Sequence, residues 1–316
     1  MISFRYHIVS IVSVFLALAV GVALGGGPLK GEVDNTLVEQ VKTDRKVKAD
    51  LMEEISGLRS SNDFTDSFAL TVAPQLLARS LEGRAVTVMV LPGAQQEAVT
   101  SVSELIDTAG GTVTGTIRVG EDTVDVGQKQ LVDELGTQLL DQAAGVDVAD
   151  DASGYERMGA LLARAVGTER NGGAAVDETA SSILAGLSTA GLTSPEGDLD
   201  RRGSLVVLLA GPGTGSSEDR QGANTIVGEL AKAIDASTDG VVVAGPIRSA
   251  FEDGLVEAVR RDVVAAREVS TVDSIGRTAG EVVTVMALAE QGTGESGHYG
   301  AVDASDGALP GAVPQD

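Results

Sequence analysis

Two histidines, His7 and His298, and no cysteine stand in a chain of 316 residues. That inventory excludes disulfides, iron–sulfur clusters, thiolate zinc sites and a cysteine nucleophile. It also leaves too few imidazoles for a catalytic triad, a zinc cage or a multi-histidine copper site within one chain. His298 lies in Gly297-His298-Tyr299-Gly300, where a lone imidazole reads as a hydrogen-bonding anchor rather than a ligand. Met52, Met89, Met158 and Met286 are isolated from one another, unlike the thioether clusters that suit Cu(I), and read as core or seam residues. The 46 Asp and Glu are too numerous for sequence to single out an acid–base pair, and solvated surface is their default. Set against 23 Lys and Arg they leave a net charge of −23, which repels phosphate backbones and excludes nucleic acid as a partner. With no nucleophile, base or cofactor fingerprint, a non-enzymatic protein without catalytic residues or a resident cofactor is expected.

Glycine-rich turns are the remaining chemical signal. Gly211-Pro212-Gly213-Thr214-Gly215 follows the apolar run Ser204 to Ala210, and backbone N–H groups in such a loop can approach an anion. The loop matches neither GxGxxG nor GxxxxGK[ST], and Glu218 and Asp219 just downstream oppose an anion, so it reads as a turn. Leu91-Pro92-Gly93 and Ala244-Gly245-Pro246 are similar. All three follow a strand, and at the carboxyl ends of a parallel sheet such turns border the usual crevice. Pro92, Gly93, Gly211, Gly213 and Gly245, together with Asp273 and His298, form the candidate cleft; no metal ligands are assigned.

The elements that must position these residues follow from periodicity. Strands are predicted at Ala85 to Leu91, Thr112 to Val119, Ser204 to Ala210 and Val241 to Ala244, with a helix near Gln95 to Ala109. Three more helices are predicted at Gln128 to Ala144, Tyr155 to Val166 and Val176 to Gly191. Strand, Gly/Pro turn and helix in repetition predict an α/β class: a Rossmann-like, doubly wound parallel sheet over residues 79–292. Residues 293–316, rich in Gly, Ser, Pro and acid, read as a flexible tail.

The N-terminus differs. Ile8 to Leu24 gives 17 uncharged residues, about 26 Å of helix, flanked by Phe4, Arg5 and Tyr6 and closed by Gly25-Gly26-Gly27-Pro28. Residues 1–27 therefore read as an anchor in membrane lipid, the run being longer than a cleaved signal peptide needs. Its signal-like character places the remainder outside the cytoplasm. Residues 28–72 read as a coiled-coil stalk, with Leu37, Val41, Leu51, Ile55 and Leu58 on one heptad seam and Asp44 and Lys48 as polar seam positions, predicting a homodimer. Phe64 and Phe68, spaced i, i+4, are expected to dock the stalk's end on the domain. Residues 1–60 hold equal numbers of acidic and basic residues, so the net acidity belongs to the domain beyond them.

Four stretches carry a resemblance: Met1-Ile-Ser-Phe-Arg-Tyr-His7, Val14-Phe-Leu-Ala-Leu-Ala-Val-Gly-Val-Ala-Leu-Gly25, Val269-Ser-Thr-Val-Asp273 and Gly297-His-Tyr-Gly300. In them the chain resembles the actinobacterial MctB family, named for mycobacterial copper transport protein B. The resemblance implies a cell-envelope protein of copper homeostasis, with copper as the only metal it suggests, and a family described as an outer-membrane pore. Corynebacterial relatives called SteB imply an alternative, an adaptor that regulates a peptidoglycan hydrolase in cell separation through an envelope partner protein. A membrane barrel needs many alternating segments of about ten residues. One continuous apolar run favours instead a plasma-membrane anchor with the domain facing outward.

Overall fold

The computed structural model describes residues 4–25, 29–149, 151–197 and 199–311. The Gly26-Gly27-Pro28 end of the expected anchor and residues 312–316 of the expected tail lie outside them. The chain divides into two compact units, Met1–Phe64 and Thr65–Asp316.

The first unit holds α1 (Phe4–Gly25), an uninterrupted helix of 22 residues with no buried side chain, and most of α2 (Leu29–Leu76), 48 residues long. Apolar residues surround α1 on all sides, as membrane-spanning helices require. On α2, the seam residues Leu37, Val41, Leu51, Ile55 and Leu58 are all exposed.

In the second unit the last turns of α2, from Thr65 on, end against the domain, but not through Phe68. Phe68 is 59% exposed, whereas Ala69, Ala73 and Leu77 are buried, and Phe64, the last residue of the first unit, is 72% exposed. Asp66 pairs with Arg277 at 2.9 Å and its Oδ1 accepts from the Thr278 backbone N–H at 3.2 Å. At about 100° per residue, Phe68 points some 100–160° away from Ala69, Ala73 and Asp66. The buried side of α2 carries the small side chains Ala69 and Ala73, and Asp66 caps a helix whose own N-cap, Arg277, makes no side-chain capping bond.

The sequence then forms β1 (Ala85–Val90), α3 (Gln96–Thr108), β2 (Thr112–Val119), α4 (Glu121–Val124), α5 (Lys129–Leu140) and α6 (Gly154–Val166). It continues with β3 (Ala174–Ala175), α7 (Glu178–Thr189), β4 (Thr193–Glu196), β5 (Arg201–Arg202), β6 (Leu205–Leu209) and α8 (Ser217–Asp235). The last elements are β7 (Val241–Ala244), α9 (Leu255–Arg261), α10 (Ala265–Glu268), β8 (Ser270–Val272), α11 (Thr278–Gln291) and β9 (His298–Tyr299). Seven strands make one sheet in the order β4-β2-β1-β6-β7-β8-β9, and β3 pairs with β5 separately. Among the described residues only the β2–β4 pairing in the large sheet is antiparallel, so the fold is mixed α/β with a mostly parallel sheet.

Each central strand divides its side chains between two cores. Met89, Val206, Leu208 and Val243 meet Leu161 and Leu162 of α6 and Leu230 of α8. Val88, Val90, Val207 and Val242 meet Val102 and Ile106 of α3 and Leu288 of α11. Burial on both faces explains why these strands read as unbroken Val/Leu runs. The order reverses at the β1/β6 pair, where β1 leads outward to β2 and β6 leads the other way.

The tail is the clearest correction. Residues 293–316 are expected to be flexible, yet Thr271 pairs with His298 and Val272 with Tyr299 as the parallel edge strand β9. Two residues of strand are too few to show periodicity, and what fixes them is a buried charge elsewhere in the chain.

Candidate functional site

That charge is Arg260, on the last turn of α9. Its guanidinium uses nearly every donor: Nη1 bonds Asp273 Oδ2 at 3.1 Å and the Val302 carbonyl at 2.6 Å. Nη2 bonds the Tyr299 carbonyl at 2.9 Å, and Nε donates to Thr271 Oγ1 at 2.9 Å. Asp273, immediately after β8, is wholly buried, and its oxygens also accept the backbone N–H groups of Ala301 (2.7 Å) and Val302 (3.0 Å). A buried ion pair is tolerated when its remaining donors and acceptors are met, and here the chain after β9 meets them. Gly300, at φ +139°, allows the close pass: a Cβ there would stand 2.1 Å from Asp273 Oδ1.

His298 completes this clasp. Its Nε2 faces the Ala266 carbonyl at 3.1 Å, which can only accept, so Nε2 carries the proton. Nδ1 then accepts from the Thr271 hydroxyl at 3.0 Å, whose oxygen receives Arg260 Nε–H. Burial, with the Arg260 charge adding to it, holds the imidazole pKa below its ordinary value. His298 is thus a neutral ring with both nitrogens engaged. Tyr299 donates its hydroxyl to Glu290, and burial with that carboxylate holds the phenol well above its usual range.

The residues of the candidate cleft do not share one place. Pro92, Gly211 and Gly213 border one small cavity of ≈ 90 Å³ with Val124, Arg220 and Leu255. Gly93 faces that loop: a Cβ on Gly211 would lie 2.1 Å from the Gly93 carbonyl carbon, so the two turns at the β1/β6 reversal press directly on one another. The glycines serve close backbone approach. Gly245 belongs elsewhere, its N–H bound to Val272 at 2.8 Å and its carbonyl to Ile275 at 3.0 Å, while Asp273 and His298 sit in the clasp. Sequence reasoning missed Arg260, because one Arg among many in an acidic chain gives no signal without its partners. It also missed the tail donors Ala301 and Val302. Among the described residues no group of three His, Asp or Glu side chains is placed to share a metal ion.

A helix long and apolar enough to cross a membrane, α1, precedes a mostly parallel α/β unit with a clasped C-terminal edge, a make-up that fits the class of membrane-associated proteins. Comparison with known sequences narrows it. The family described as "Copper transport outer membrane protein, MctB" matches residues 1–310, and the chain belongs to the MctB family, which with α1 points to the cell envelope. The copper transporter MctB of Mycobacterium tuberculosis is 28% identical over 316 aligned residues, covering 95% of this chain and 96% of the relative. That of Mycobacterium leprae is 30% identical over 336, covering all of both chains. The segments Val269–Asp273 and Gly297–Gly300, two of the four stretches singled out in the sequence, are the two sides of the Arg260 clasp.

Proposed function

We propose that the chain is a plasma-membrane-anchored, extracytoplasmic and non-enzymatic protein of copper homeostasis. In this reading two copies pair through a coiled-coil stalk, each carries a Rossmann-like head, and an envelope partner protein completes the assembly. What carries it is membership in the copper transporter family along residues 1–310 in a chain whose apolar α1 precedes a 48-residue helix. Copper is cargo in this reading, and the donor set limits how the head meets it. Soft ligands for Cu(I) are thiolates and thioethers, and Cu(II) prefers free imidazoles; the head offers exposed carboxylates, one engaged histidine and three methionines, of which Met89 and Met158 are wholly buried and Met286 partly so. The head acts by assembling with its partner, and copper is handled across that assembly. Regulation of a peptidoglycan hydrolase is not favoured, since the relatives are named for copper transport.

Complementation tests this. In a mycobacterial strain lacking its own family member, the full chain should lower cell-associated copper under copper load, and a form without residues 4–25 should not. An unchanged copper content with the full chain present in the membrane would overturn the reading. Orientation is read separately: the chain has no cysteine, so a single Glu252→Cys thiol should react with a membrane-impermeant maleimide on intact cells.

A further inference from the structure

Away from the clasp and the strand turns, a cavity of ≈ 320 Å³ lies where α6 and α8 end, bordered by Arg164, Arg202, Thr168 and Ser237. That volume is at the lower end of small-ligand sites. Arg164 stands on the last turn of α6 and Arg202 on β5, and both side chains are largely buried, 20% and 15% exposed. Between them lies one carboxylate: Asp177 Oδ2 accepts from Arg164 Nη2 at 2.8 Å and sits 3.5 Å from Arg202 Nη2. Asp177 Oδ1 is already used, capping α7 through the Ala180 N–H at 2.9 Å. Two guanidinium charges therefore share a single oxygen.

The account of donors does not close. Arg202 Nη1 reaches the Arg164 carbonyl at 3.3 Å, but Arg164 Nη1 and Arg202 Nε are buried with no acceptor. Buried donors are nearly always met, and guanidinium forks match planar or tetrahedral oxyanions in two-pronged fashion. Burial, with Arg164 and Arg170 adjacent, disfavours the Arg202 charge, which an anion at the same place would relieve. Glu169 and Asp147 also border the cavity, but both are exposed and free to turn to solvent. In a chain of net charge −23 the general field repels anions, so a site that takes one must be built locally.

We propose that this cavity binds a small oxyanion, the carboxylate or phosphate group of a ligand, between Arg164 and Arg202. The full chain in detergent micelles is titrated calorimetrically with inorganic phosphate and, separately, with acetate, against chloride at matched ionic strength. One saturable site is expected for at least one probe. Phosphate alone identifies a phosphoryl ligand, acetate alone a carboxylate ligand, and both the shared chemistry. Arg164→Gln and Arg202→Gln should each weaken the affinity by about tenfold or more, as loss of a charge-assisted pair implies. Arg202→Lys, which keeps the charge and removes the fork, should fall between, and thermal unfolding of each variant establishes that it is folded. No saturable heat from the unaltered chain overturns the proposal, whatever the variants do. So does binding that folded variants leave unchanged.

Discussion

Arg260 and Asp273 meet at 3.1 Å with Asp273 wholly buried, and together they take hydrogen bonds from or give them to Tyr299, Ala301 and Val302. Removing one partner leaves the other charge buried and alone, which costs about 3–5 kcal/mol. Arg260→Met in the full chain should lose stability of that order in urea unfolding and expose the chain beyond β9 to protease. Asp273→Asn should lose a comparable amount, because both carboxylate oxygens accept N–H groups and the amide nitrogen would set a donor against one of them while Arg260 stays charged and buried. A loss under about 1 kcal/mol for Arg260→Met, typical of an exposed pair, would show that the clasp does not hold this edge.

Asp235 closes α8 in an unfavourable place. Burial, with Glu268 nearby, raises its pKa from 3.8 to about 6, and its Oδ1 has no partner. A carboxyl whose folded pKa lies above its unfolded one loses stability as pH rises from about 4 to about 6, and the deficit persists above. Asp235→Asn removes the charge and keeps an acceptor, so it should stabilise the chain at pH 8. Allowing for the partial exposure of the group, the gain is on the order of 1 kcal/mol, and it should vanish near pH 4. Equal effects at the two pH values would place the cause in packing.

The seam on α2 makes a prediction about assembly. Leu51 and Ile55 are 52% and 40% exposed at d and a positions of a heptad frame, and paired helices bury such residues. Sedimentation of the full chain in detergent should give a dimer, and Leu51→Asp with Ile55→Asp a monomer, because each charge would be desolvated in the seam. A monomer for the unaltered chain at high concentration would remove the coiled coil, and a dimer indifferent to both changes would move the interface to another surface.

Legibility followed the length of each signal. Unbroken runs such as Ala85 to Leu91 and Ser204 to Ala210 announced buried parallel strands, and the 17-residue apolar run announced α1, because these patterns exceed what chance composition produces. Short elements were silent: β4 and β9 take four and two residues and exist through their partners. Phe64 and Phe68 misled because hydrophobicity marked the larger side chains, whereas the side of α2 that is buried carries Ala69 and Ala73. The candidate cleft was half legible. Glycine and proline placed the turns at strand ends, but the Gly93–Gly211 contact that presses two of them together depends on strand order, which no single sequence displays. The Arg164 and Arg202 pair, 38 residues apart in sequence and joined through Asp177, was likewise invisible before folding.

Copper decides between a direct and an indirect role for the head, and His298 is where a direct role would start. At neutral pH the ring is uncharged, its pKa held low by burial, so protonation does not keep a metal away; hydrogen bonding does. Nδ1 is taken by Thr271 at 3.0 Å and Nε2 by Ala266 at 3.1 Å, and a copper ion would have to break one of them and dismantle the clasp around Arg260. The carboxylates remain, and their attraction for divalent cations is screened within about 10 Å at 0.1 M salt. The full chain should therefore bind Cu(II) no tighter than micromolar, about −8 kcal/mol, in calorimetry at physiological salt, and His298→Ala should leave that affinity unchanged while lowering thermal stability. A stoichiometric nanomolar site that disappears with His298→Ala would mean that the ring leaves Thr271 or Ala266 to take the metal, and that the head carries copper itself.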